Sequence, residues 1–144
     1  MTGPVFVDTN VLVYARDVSD PGKQRAASAW IESLWGNRRG RLSTQVLHEF
    51  YVTVTRKLKP GMKPLQARQD VRDLIAWSPV PLSTSLTEQA MVLEEREKLS
   101  FWDALIVAAA TESSCRVLLS EDFTNGRSFG ELTVVSPFAT DPAP

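Results

Sequence analysis

The stretch Val5-Phe6-Val7-Asp8-Thr9-Asn10 joins a short apolar run to an acid and two helix-starting residues. Three consecutive apolar residues, two of them valines, are typical of a strand buried on both faces of a parallel sheet. Thr9 and Asn10 favour a helix start, so we expect the chain to turn from strand into helix there. Asp8 would then follow the carboxyl end of a strand, where open α/β sheets bind ligands. Taken alone, so short a motif is better explained by an acid that caps the helix.

The composition is that of one ordinary globular domain. The chain has 144 residues, of which 43% are hydrophobic and 23% charged, enough for a single core. No apolar run is long enough to span a bilayer, and the first residues do not resemble a signal peptide, which predicts a cytoplasmic protein with no membrane contact. The single Cys115 excludes an intramolecular disulfide and a cysteine-rich zinc site. With a net charge of -1, any nucleic acid must be held by local cations or by bound metal.

Predicted strands and helices alternate along the chain. Strands are expected at residues 5–7, 41–43, 80–82, 116–120 and 133–135, and helices at residues 23–35, 45–58, 65–75, 85–98 and 104–112, the fourth opening with a capping box at Ser85. This alternation predicts a single α/β domain over residues 1–139, with a central, mainly parallel sheet and helices on both faces. Residues 140–144 are expected to form a disordered tail.

Four acids are predicted to meet at one edge of this sheet. Asp8 and Asp122 each follow a buried strand, and Glu49 and Asp103 lie in the first turns of helices that would start from the same edge. Carboxylates crowded into one crevice repel one another and raise each other's pKa values, and a hard divalent cation relieves that repulsion. Oxygen-only sites suit Mg²⁺ or Mn²⁺, which can activate water for attack on a phosphodiester.

Other chemistries find little support in the sequence. It contains no Gly-rich phosphate loop and no Gly-x-Ser-x-Gly elbow, and a single histidine, His48, excludes a two-histidine nuclease site. Asp103 also has a structural explanation, because its spacing from Ser100 is that of a capping box, although a capped acid can still serve a site. A phosphatase or receiver-like domain that uses Asp8 is a more distant alternative, since Asp8-Thr9-Asn10 lacks the second acid of the common phosphatase pattern.

Four segments of the chain resemble the motifs of a known family. They are residues 5–12 (Val-Phe-Val-Asp-Thr-Asn-Val-Leu), 43–50 (Ser-Thr-Gln-Val-Leu-His-Glu-Phe), 101–106 (Phe-Trp-Asp-Ala-Leu-Ile) and 118–123 (Leu-Leu-Ser-Glu-Asp-Phe). In this order and at these separations they resemble the successive motifs of PIN-domain ribonucleases, above all the VapC-type toxins of bacterial and archaeal toxin–antitoxin pairs. Each motif is weak alone, but the four in order are specific. The resemblance runs from Val5 to about Phe138.

This resemblance implies a PIN-like three-layer α/β/α domain that cleaves RNA with Mg²⁺ or Mn²⁺ and leaves a 5′-phosphate. It implies an acidic tetrad for catalysis and metal binding, supported by neighbouring polar residues. The tetrad would be Asp8, Glu49, Asp103 and Asp122, and the supporting residues Asn10, Ser120 and Thr9. The resemblance also implies a homodimer and an antitoxin partner encoded by a neighbouring gene.

Two other functions remain open at this point. One is a PIN nuclease for housekeeping RNA processing without an antitoxin. The other is a non-catalytic module whose acids hold a metal or a basic peptide, and four intact acids argue against it.

The sequence also suggests which cations contact RNA and which residue is the fourth acid. The RNA substrate is expected to contact local cations, namely Arg38, Arg39 and Arg41 in a basic loop, together with Arg16 and Lys23. Either Glu121 or Asp122 could supply the fourth acid, and the register set by Ser120 favours Asp122. Glu121 is then expected to project into solvent.

Overall fold

A five-stranded sheet flanked by helices forms the centre of the computed structural model, which describes residues 3–142. The strands are β1 (Val5–Val7), β2 (Gly40–Arg41), β3 (Val117–Leu119), β4 (Ser128–Phe129) and β5 (Leu132–Val135). Their order across the sheet is β2-β1-β3-β5-β4, and every neighbouring pair is parallel except β4 with β5. The predicted α/β class with a central, mainly parallel sheet is confirmed.

Within residues 3–142, six α-helices connect and cover the strands. They are α1 (Thr9–Tyr14), α2 (Pro21–Asn37), α3 (Thr44–Val52), α4 (Pro64–Leu74), α5 (Thr84–Glu97) and α6 (Phe101–Glu112). Helix α3 continues as a π-helical turn over Thr53–Lys57, and α4 ends in a 3₁₀ turn over Ile75–Trp77. Helix α6 is the most deeply placed, since every side chain from Ala104 to Ala110 is buried, and its small residues let it pack closely along α5.

The register of the central strands fixes the edge on which the site lies. Val7 of β1 is opposite Leu119 of β3, and the Asp8 N–H donates a hydrogen bond to the Leu119 carbonyl at 3.0 Å. The next residues along the two strands, Asp8 and Ser120, therefore leave the sheet side by side. All side chains of β1 and β3 are buried, as the apolar runs predicted.

Two local predictions are wrong, and one short strand was not predicted. Helix α5 is capped by Ser83 and not by Ser85: the Ser83 hydroxyl accepts the Leu86 N–H at 3.1 Å, so Ser85 already lies inside the first turn. The strand predicted at residues 80–82 is reduced to one parallel bridge between Ser43 and Val80, because the partner segment turns into α3 at Thr44 and offers no further strand to pair with. The two-residue strand β4 was not predicted, being too short to show alternation.

Two further expectations concern the membrane and the tail. None of the helices within residues 3–142 has the length and apolarity needed to cross a bilayer. The Trp30 indole N–H donates to the Thr140 carbonyl at 2.8 Å, which ties the start of the tail to α2. Residues 143 and 144 lie outside the described residues, so the disordered tail and the single domain over residues 1–139 stay predictions.

Candidate active site

The structure brings the four predicted acids to the carboxyl edge of the sheet. Asp8 follows β1, Asp122 lies in the loop after β3, and Asp103 lies in the first turn of α6. Glu49 lies on α3 and reaches the same place, since the Thr9 hydroxyl donates to Glu49 Oε1 at 2.8 Å. The charges of Asp122 and Glu49 act on both Asp8 and Asp103. Segments far apart in sequence therefore form one acidic cluster.

Asp8 is the buried centre of this cluster, with only 4% of its surface exposed. Its Oδ1 accepts the Thr9 N–H at 2.7 Å, and its Oδ2 accepts the Ser120 hydroxyl at 2.8 Å and the Asn10 side-chain amide at 3.3 Å. Burial raises the pKa of Asp8 from 3.8 to about 7, more than the Ser120 and Thr9 hydrogen bonds lower it, and the charges of Asp122 and Glu49 raise it further. The carboxylate is well oriented but poorly compensated in charge.

Ser120 and Asn10 connect Asp8 to the loop that carries Asp122. The Ser120 hydroxyl, which donates to Asp8, also accepts the Asp122 N–H at 3.0 Å. The Asn10 amide group donates to the same Ser120 oxygen at 3.3 Å, while Asn10 Oδ1 accepts the Glu121 N–H at 3.1 Å. The polar residues predicted to support the acids are thus bonded to them or to their neighbours.

Asp103 combines a helix position with a place in the cluster. Its N–H donates to the Ser100 hydroxyl at 3.1 Å, the cap that the sequence predicted for α6. Partial burial raises the pKa of Asp103, and the negative charges of Asp122 and Glu49 raise it further against the lowering effect of Ser100. A capping role and a role in the site are therefore compatible in this structure.

Glu121 is exposed, as expected, but it forms an ion pair that its sequence did not predict. Its carboxylate lies 2.7 Å from Lys23 Nζ, and each side chain is only about one third exposed, at 34% and 36%. The Lys23 ammonium also lies over the rings of Tyr14 and Phe138, 4.8 and 5.0 Å from their centroids. Hydrogen bonds to Glu121 and then Tyr14 raise the pKa of Lys23. The pair attaches the Asp122 loop to α2.

The other predicted RNA contacts lie away from the acids. Arg38, Arg39 and Arg41 surround the start of β2, and the Arg39 carbonyl accepts the N–H of Val5, the first residue of β1, at 2.8 Å. They therefore lie at the amino edge of the sheet, opposite the acidic cluster. Arg16 makes a two-point contact with Asp70 of α4, at 2.6 and 2.7 Å. An RNA-binding role for these residues stays a prediction.

An open cleft of about 660 Å³ adjoins the cluster. Thr9, Asn10, Glu49 and Asp122 line it at one end, and Tyr14, Asp17, His48, Thr53 and Lys57 are among its other lining residues. Tyr14 and Lys57 were not predicted as site residues, although Lys57 stands two helical turns after Glu49. A larger cavity of about 860 Å³ includes Arg16 and Asp70 but contains none of the four acids.

The donor chemistry of the cluster fits Mg²⁺ or Mn²⁺. All candidate ligands are carboxylate oxygens, and the raised pKa of Asp8 reflects burial and negative charge that a divalent cation would neutralise. Within residues 3–142, no three acidic, histidine or cysteine side chains are positioned to hold a metal ion without rearrangement. Glu49 and Asp122 are exposed, so their side chains have room to turn toward Asp8.

The fold and the acidic edge together define an α/β domain with an oxygen-only candidate site. The sequence profile of the PIN domain matches residues 5–124, and the protein belongs to the PIN domain family. No curated protein matches the chain in sequence.

Two solved structures resemble most of the chain. One is a toxin–antitoxin complex from Klebsiella pneumoniae, with a TM-score of 0.66 and 20% identity over 92% of this chain and 97% of that one. The other is VapC20 of Mycobacterium tuberculosis, described as a Sarcin-Ricin loop cleaving toxin, with a TM-score of 0.62 and 19% identity over 90% and 98% of the two chains. At such identities the likeness establishes the shared fold.

Proposed function

We propose that this PIN domain is a Mg²⁺- or Mn²⁺-dependent endoribonuclease that acts as the toxin of a toxin–antitoxin pair. The observation that carries the proposal is the meeting of Asp8, Glu49, Asp103 and Asp122 at the edge of the sheet, beside an open cleft. A strand of RNA can enter a cleft of this kind from solvent, and the acids supply the oxygen ligands that phosphodiester hydrolysis with a divalent cation requires.

The residues around the acids have separate tasks in this proposal. A bound Mg²⁺ or Mn²⁺ would help to ionise a water molecule and would neutralise charge that develops on the phosphodiester. Ser120, Asn10 and the Thr9 N–H fix the orientation of Asp8 through three hydrogen bonds. The Thr9 hydroxyl orients Glu49. Asp8 must give up the proton that its raised pKa favours before it can serve as a metal ligand.

The two similar structures support the toxin role. One is a toxin–antitoxin complex, and the other is a toxin that cleaves the sarcin–ricin loop. An antitoxin protein from a neighbouring gene, a homodimer and a cytoplasmic location belong to the same proposal. A housekeeping PIN nuclease without an antitoxin would use the same site, and only its effect on growth would differ.

The proposal is tested by incubating the purified protein with RNA in Mg²⁺, in Mn²⁺ and in excess EDTA. Cleavage should require the metal and should be lost in Asp8→Asn. Glu131→Gln is the matched control, since Glu131 is an exposed acid whose nearest cation is Arg116 at 3.7 Å. Cleavage that persists in EDTA would contradict the metal-dependent mechanism. Induced expression of the chain alone, followed by sequencing of RNA ends, separates a toxin from a housekeeping enzyme.

A further inference from the structure

Helix α3 ends in a π-helical turn that changes which residues face the cleft. The Leu58 N–H donates to the Thr53 carbonyl at 2.9 Å, five residues back, where an α-helix would use a partner four residues back. Glu49 and Lys57 are eight residues apart. In a regular α-helix, which turns about 100° per residue, their side chains would point in directions about 80° apart around the helix axis. The wider π turn rotates by fewer degrees per residue and so reduces the angle between these two side chains. As a result Glu49, Thr53 and Lys57 all line the same cleft.

The charges along the cleft make Lys57 distinctive. Glu49, Asp122 and Asp17 line it as acids, and among the described lining residues Lys57 is the only lysine or arginine. Within residues 3–142 its ammonium group forms no ion pair and no hydrogen bond, and its side chain is exposed. By contrast, Arg16 is bound to Asp70 and Lys23 to Glu121. Because none of the acids in the cleft pairs with it, the Lys57 ammonium group is available to an anionic ligand.

The spacing suits a polyanion longer than one phosphate. Lys57 stands eight residues beyond Glu49, which is at most about 12 Å along the helix axis. A phosphate held at the acids would therefore leave a neighbouring phosphate of the same strand within reach of the lysine. Without such a cation, the acids that line the cleft would repel the phosphates of the RNA strand.

We propose that Lys57 is an RNA-backbone binding residue, which grips a phosphate adjacent to the one cleaved and so sets the path of the strand along the cleft. This inference rests on the proposed ribonuclease function and adds a named substrate contact to it. The π turn is the structural device that brings Lys57 into line with Glu49.

The test compares Lys57→Gln with Arg56→Gln. Arg56 is an equally exposed cation in the same turn, but it does not line the cleft. Binding of a short labelled single-stranded RNA is measured by fluorescence anisotropy in EDTA, over a series of salt concentrations. We expect Lys57→Gln to weaken binding several-fold and to reduce the slope of log affinity against log salt by about 0.7, the value for one phosphate contact on a single strand. Arg56→Gln should keep the parent slope, and Lys57→Arg should restore it.

A kinetic measurement with metal present gives a second readout. Lys57→Gln should raise KM several-fold and leave kcat within about twofold, the pattern of a lost binding contact outside the reaction centre. Equal salt slopes and equal KM values for parent and Lys57→Gln would overturn the inference, and so would a parent protein that does not bind RNA. A parent that binds RNA through Lys57 but never cleaves it would overturn the proposed function and leave the binding site standing.

Discussion

The Ser120 hydroxyl donates a hydrogen bond to Asp8 Oδ2 at 2.8 Å, and the same oxygen accepts the N–H of Asp122 at 3.0 Å. One fully buried hydroxyl thus holds two acids that leave neighbouring strands of the sheet. The relative position of Asp8 and Asp122 therefore depends on a residue that carries no charge.

Replacing Ser120 by alanine should damage the site more than the fold. The change removes a donor from Asp8 and leaves the Asp122 N–H without its acceptor, which costs on the order of 1–3 kcal/mol when such a group stays buried. We expect RNA cleavage to fall at least tenfold, with a modest fall in Tm. The control is Ser85→Ala, an exposed serine in the first turn of α5. Full activity in Ser120→Ala would show that the serine does not position the acids.

The pKa of Asp8 predicts how stability depends on pH without metal. Because burial raises this pKa from 3.8 to about 7, the folded protein binds a proton that the unfolded chain has already lost between these values. The free energy of unfolding should therefore fall as pH rises from about 4 to about 7, by at most about 4 kcal/mol, and level off above. Thermal unfolding in EDTA at pH 5 and pH 8 measures this. Asp8→Asn should flatten the profile and be more stable than the parent at pH 8.

Metal binding should restore the stability that the protein loses as pH rises. Mn²⁺ binds the ionised carboxylates and only the folded protein assembles them, so Mn²⁺ should raise Tm in the parent, and by more at pH 8 than at pH 6. Asp8→Asn should respond weakly because it lacks the buried ligand. Calorimetric titration of Mn²⁺ into both proteins gives the affinities directly. An equal rise in Tm for parent and variant would mean that the ion binds elsewhere.

The neighbours Glu121 and Asp122 should differ sharply in their effect on cleavage. Asp122→Asn removes a charge that acts on both Asp8 and Asp103, and should abolish or severely reduce cleavage while the fold stays intact. Glu121→Gln breaks a partly exposed ion pair with Lys23, which is worth no more than about 1 kcal/mol, and activity should stay within a few-fold of the parent. Nuclease assays and circular dichroism on both variants decide. The opposite ranking would place the fourth acid one residue earlier.

Local patterns predicted the parts of this protein that depend on neighbours in sequence. The apolar runs before Asp8 and Ser120 predicted two buried parallel strands, and Ser100 caps α6 as expected. The topology rule then placed the acids at one edge. The same rule would also have placed Arg38 and Arg39 at the other edge, since residues just before a parallel strand lie at its amino end.

The remaining features depend on contacts between distant segments. The pair of Lys23 with Glu121 joins residues 98 positions apart, and nothing in either local sequence indicates it. The π turn at Thr53–Lys57 has no distinctive residue pattern. It extends an amphipathic helix, and the spacing of the apolar residues is that of an ordinary α-helix. Lys57 therefore looked like a cation suited to a helix end. Only the completed structure shows that it faces the same cleft as Glu49.

The order of the strands has a consequence for the growing chain on the ribosome. The acids stand at positions 8, 49, 103 and 122, and β1 completes its pairing only when β3, which begins at Val117, has been synthesised. A nascent chain that has emerged as far as Glu97 holds Asp8 and Glu49 but neither Asp103 nor Asp122, and it lacks Ser120, which joins the two strand ends. The proposed nuclease centre is therefore complete only after residue 122 has been synthesised, and no shorter N-terminal fragment of the chain contains all four acids.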